Sequence, residues 1–86
     1  MKDARMTSQP ELSKRVSAAK RRVLDVIVGR PDAVFRASQV FQAYTGLCGE
    51  AEFACDDNQL DEELVGMLEE QAEKVIRAWL EHNPAR

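Results

Sequence analysis

The sequence predicts a small all-α protein: a three-helix domain with a long C-terminal helix, packing as a homodimer. Three observations carry this. Apolar residues recur at helical spacing in three segments. Capping residues stand where those segments begin. Pro and Gly are few and sit mainly between the segments. The expected helices cover about 8–29, 32–45 and 58–83 of a single helical domain 1–86. Residues 1–7 are expected to be flexible and 46–57 to be a connector. At 44% hydrophobic and 31% charged residues, the chain has the composition of a folded protein rather than a disordered one.

The first helix is marked by Ser8-Gln9-Pro10-Glu11, which reads as a capping box with Ser8 at the N-cap and Glu11 three residues on. Leu12, Val16, Ala19, Val23 and Ile27 then share one face, and Gly29 with Pro31 is a stop signal. For the second segment, Asp32 reads as the cap of one helix with an irregular start that Thr45-Gly46 ends. Ala33, Val34, Ala37, Val40, Phe41 and Tyr44 face the core, while Phe35 points roughly the opposite way. In an alternative, Val34-Phe35-Arg36 is extended and Ser38 caps a shorter helix, Gln39–Thr45.

The third helix begins at an N-cap of Asp57 or Asn58. Asp61, Glu62 and Glu63 suit the positive end of its dipole, and Asn83-Pro84 ends it. Its apolar positions cover an arc of roughly 220°, against about 100° or somewhat more for an ordinary surface helix. Gly66 lies in the polar arc. By length, the first and third helices span roughly 30–38 Å and the second about 20 Å. One short helix cannot cover two long ones, so the surplus arc predicts a further partner. A second copy is the simplest choice and another protein the next. The interface residues so assigned are Leu64, Leu68, Ala72, Val75, Ile76, Trp79 and Leu80.

Charge is uneven. Residues 1–44 hold nine Lys+Arg against four Asp+Glu, and residues 45–86 hold three against eleven. This asymmetry predicts either pairing between the two halves or a basic patch for an acidic partner. In the basic half, the order helix, Pro-Asp turn, Val-Phe and Ser38-capped helix resembles the opening of a winged helix over about Val16–Gly46. The resemblance implies DNA binding; separately, the basic first half offers Lys14, Arg15, Arg21 and Arg22 as candidate nucleic-acid contacts. The next segment should then be a recognition helix, yet Leu47–Asp57 carries four carboxylates and no Lys or Arg, which phosphate would repel.

Other chemistry is expected to be absent. His82 is the one histidine, so a nucleophile–base pair has few possible members. Cys48 and Cys55 lack the second ligand pair that zinc needs. Asp61 and Met67 stand where a calcium loop opening at Asp56 needs Gly and Glu. The two cysteines remain open between buried thiols and a disulfide. No cofactor, metal or catalytic residue is expected. No apolar run approaches the roughly 18 residues of a membrane span, and Met1–Pro10 lacks the core of a signal peptide. The expected setting is cytoplasmic. The expected role is a non-enzymatic regulator acting by protein–protein interaction, of the adaptor, chaperone, inhibitor or anti-activator type. The alternative is a small dimeric DNA-binding transcriptional regulator.

Overall fold

A computed structural model describes residues 8–27 and 31–82. The expectations for 1–7, for Gly29 as a stop and for the Asn83-Pro84 end lie outside the described residues. The rest is all-helical, with four helices: α1 (Gln9–Val26), α2 (Ala33–Arg36), α3 (Gln39–Asp56) and α4 (Glu62–His82).

The first helix starts as expected. The Ser8 hydroxyl accepts the Glu11 N–H at 3.3 Å, and Pro10 occupies the first turn, where its missing N–H costs nothing. Leu12, Val16, Ala19, Val23 and Ile27 are all buried.

The second segment is not one helix 32–45: the alternative's Ser38 cap and helix start at Gln39 are found, but 34–36 is helical rather than extended and the helix runs past Thr45. Asp32 caps a single turn, its carboxylate accepting the Phe35 N–H at 2.8 Å. Ser38 then donates to the Phe35 carbonyl at 2.6 Å and accepts the Phe41 N–H at 3.3 Å, which starts a new helix. The break resets the helical phase. Phe35 is therefore buried, while Ala33, Val34 and Ala37, expected on the core face, are exposed. A wheel drawn through the break places them wrongly.

The expected connector 46–57 is helical as far as Asp56. Gly46 and Gly49 each weaken a helix by about 1 kcal/mol. Against that, Tyr44, Leu47, Cys48, Ala51 and Ala54 continue the apolar spacing of Val40 and Phe41 across both glycines, and all are buried or packed on the core. Burying a single Leu-sized side chain contributes about 1.5–3 kcal/mol, so the packed stripe outweighs the glycines. The helix ends at Asp57. Asn58 takes a left-handed φ of 58°. Its N–H bonds to the Cys55 carbonyl at 3.1 Å and that of Gln59 to the Ala54 carbonyl at 2.7 Å, a Schellman ending. Asp57 and Asn58 therefore close α3 rather than open α4. Asp61 caps α4, its side chain accepting the Leu64 N–H at 2.7 Å.

These elements form an up-down-up bundle with α2 at one corner. Gln9 exchanges two bonds with the Leu60 backbone, at 2.7 and 3.0 Å, which ties the start of α1 to the start of α4. Arg15 meets Glu62 and Glu69, and Arg22 meets Glu73, so α1 and α4 run parallel. Gln71 reaches the Val40 carbonyl at 3.3 Å, so α3 runs antiparallel to α4. At 18 residues α3 matches α1 and spans about 27 Å. Together with α1 it covers the centre of the α4 arc and leaves Met67 and Leu80 exposed at its edges. Leu68, Ala72 and Val75 are completely buried.

Candidate interaction surface

Three of the seven residues assigned to an interface therefore belong to the intramolecular core. Leu64, Ile76 and Trp79 are half-buried and pack against it. Of the seven, Leu80 alone is open, at 53% exposed. A partner reaching Leu68, Ala72 or Val75 would have to displace α3. The apolar side chains open to a partner without such a displacement are those that the bundle leaves outside.

Those are Leu24, Val34, Phe53, Met67 and Leu80. Phe53 is 72% exposed and lies on α3 roughly opposite Tyr44 and Ala51, which are buried. Gly49, one turn before it, and Gly46, nearly two turns before it, share that outward face. A Cβ built at either glycine meets nothing within 4 Å, and neither has a left-handed φ. No contact among the described residues requires glycine there. The helix therefore presents a low shelf beside a projecting aromatic ring. From Gln39 to Glu63 there is no Lys or Arg, and Glu50, Asp56 and Asp57 are exposed along this helix. Sequence reading missed the surface because it took these residues for a connector. The signal was present in the unbroken spacing from Val40 to Ala54.

The basic candidates divide by face. Arg15 and Arg22, seven apart, turn toward α4. The Arg15 guanidinium grips Glu69 in fork geometry, at 3.0 and 2.8 Å, and reaches Glu62 at 2.9 Å. Those bonds, first to Glu69 and then to Glu62, hold Arg15 more firmly charged, and the Arg15 bond keeps the Glu69 carboxyl below its ordinary range. Arg22 pairs with Glu73, and Lys20 meets Glu52 at 3.4 Å. Lys14 and Arg21 face solvent. The structure does not bring the four nucleic-acid candidates onto one surface. Part of the opposite charge of the two halves goes into pairing α1 with α3 and α4.

His82 is held by the fold. Its Nε2 lies 3.0 Å from Asp32 Oδ2, and its ring packs against Phe35 and Trp79 with centroids 5.5 and 6.1 Å apart. Phe35 meets Trp79 edge-on at 5.0 Å, so an aromatic cluster fastens α2 to the end of α4. Asp32 is kept below the usual carboxylate range by the Phe35 N–H first and His82 second.

Cys48 and Cys55 sit on one helix and are free thiols. Seven helical residues separate their Cα atoms by about 10 Å, too far to bridge. Burial pushes the Cys48 thiol and the Tyr44 phenol up in pKa, which removes any activated thiolate at Cys48. Cys55 is exposed rather than buried, with its Sγ 3.6 Å from Ser13 Oγ. Among the described residues no cluster of three His, Cys, Asp or Glu side chains is placed to hold a metal ion. None of their helices is long and apolar enough to cross a membrane.

No protein-family model matches the chain, and neither a curated protein nor a solved structure is significantly similar to it. The winged-helix expectation is corrected on geometry. Where that resemblance requires a new recognition helix and a two-stranded wing, α3 continues to Asp56, and no strand occurs among the described residues.

Proposed function

We propose that the chain is a small non-enzymatic regulator that works by protein–protein interaction, in the manner of an adaptor, chaperone, inhibitor or anti-activator. The observation that carries this reading is Phe53, a large aromatic left outside a bundle whose core is already closed. Scattered exposed leucines need no explanation. An exposed Phe beside two helix glycines that the fold does not require is costly to folding and useful for docking. We place the activity in the cytoplasm, where an exposed thiol such as Cys55 stays reduced.

Self-association is the second reading. Its original support, the width of the α4 arc, is taken up by α3. Met67 and Leu80, 48% and 53% exposed on α4, are what favour it now. DNA binding is the weaker alternative. Lys14 and Arg21 are available to phosphate, but Arg15 and Arg22 would have to leave Glu69 and Glu73. A gel shift at roughly 50 mM salt, where electrostatic binding is strongest, decides that point.

The reading is tested by co-purification from native extract, with mass spectrometry and light scattering. A specific partner that is lost in a Phe53→Ser, Leu80→Ser variant of unchanged helical circular dichroism supports it. A chain recovered alone as a monomer, or a variant that keeps every partner, overturns it.

A further inference from the structure

The outward face of α3 has one sign of charge and one large apolar group. Phe53 projects from it, Gly46 and Gly49 leave it flat, and Glu50, Asp56 and Asp57 lie on or beside it. No described Lys or Arg forms an ion pair with those three carboxylates; Arg15, Lys20 and Arg22 of α1 are directed to Glu52, Glu62, Glu69 and Glu73.

We propose that this face docks a cationic amphipathic helix of another protein, whose apolar stripe crosses the Gly46–Gly49 shelf and encloses the Phe53 ring. The inference rests on the interaction reading above and names the partner's chemistry. Helix axes approach to about 8 Å only where the contact side chains are small, which the two glycines supply. Strand addition is not available, because the described residues offer no sheet edge. The acidic rim favours Lys and Arg on the flanks of the docked helix and would speed its encounter.

A second copy fits this face poorly. A two-fold pairing of α3 with itself that seats Phe53 on Gly46 of the partner centres the axis between Gly49 and Glu50. Each Glu50 would then lie beside its own equivalent, with no cation on either face to offset them.

The probe is a labelled 18-residue model helix with Leu on one face and Lys on the other, alongside its Glu counterpart. Binding to the full chain is followed by fluorescence anisotropy at low and high salt. The Lys peptide should bind at low salt and weaken as salt rises. Phe53→Ala and Gly49→Lys should each weaken it by about ten-fold or more, a loss of the size expected for an interface anchor. Gly49→Lys should melt no lower than the parent, since its Cβ meets nothing and Lys is the better helix former. Equal binding of the Glu peptide, no binding up to about 1 mM, or indifference to both variants overturns the proposal. Self-association abolished by Phe53→Ala also overturns it, by making a second copy the occupant. If the Lys peptide fails while a native partner still depends on Phe53 or Leu80, the interaction reading stands and only this assignment of partner falls.

Discussion

Phe35 and its neighbour Val34 show how much one residue of helical phase decides. Phe35 packs on Trp79, Phe41 and His82, while Val34 is 73% exposed. Phe35→Ala should therefore lower stability by about 3–5 kcal/mol, as other buried aromatics do. Val34→Ala should stay within about 0.5 kcal/mol. Urea denaturation of both variants checks the phase directly, and a reversed order would restore the unbroken helix 32–45. At Glu69 the sign of a pH effect follows from Arg15. Its carboxyl titrates lower in the folded chain than in the unfolded one. The stability it contributes is complete above the unfolded pKa of about 4.3 and is lost as pH falls through the folded value. Glu69→Gln should therefore lower the urea midpoint at pH 7 and make little difference near pH 2. The loss should be about 1 kcal/mol or less, because the pair is partly exposed.

At the scale of the element, α3 is the correction with the widest consequences. Gly46→Ala and Gly49→Ala should each stabilise the chain by about 0.5–1 kcal/mol, because an added Cβ meets open space in a helical backbone. A rise in melting temperature for both, and a larger one for the pair, is the expected result. Helix α1 was legible from its capping box and stripe because the signals agree over five apolar positions. The end of α3 was not. Thr45-Gly46 satisfies a local stop rule, and only the packing of Leu47, Cys48, Ala51 and Ala54 against the other helices overrides it. The caps of α4 were misplaced for a related reason. Asp57, Asn58 and Asp61 are all good N-cap types, and spacing alone does not reveal that Asn58 has turned left-handed to finish α3.

At the scale of the molecule, the all-helical class and the long C-terminal helix could be read from periodicity, whereas the surface could not. The width of the α4 arc implied a missing partner; α3 of the same chain covers its centre, and Met67 and Leu80 stay exposed. Leu68→Asp consequently should unfold the protein and not merely dissociate a complex, since Leu68 has no access to solvent. Loss of the circular dichroism signal at all concentrations would be the sign. The unequal charge of the two halves was legible as a number and ambiguous as a function. Fork-like pairing of Arg15 with Glu69 assigns part of it to holding α1 on α4. The set of ion pairs from α1 does not include Glu50, Asp56 or Asp57 on the outer side of α3.

The burial of the α4 arc and the outward face proposed for docking both depend on α3 being continuous, and amide hydrogen exchange across residues 46–56 tests that most directly. Protection of the Ala51 and Glu52 amides comparable to that of Val65–Val75 in α4 is the predicted result. Exchange of 46–56 at the rate of an unstructured chain would contradict it. It would reopen the α4 arc and make Leu68, Ala72 and Val75 available again to a partner.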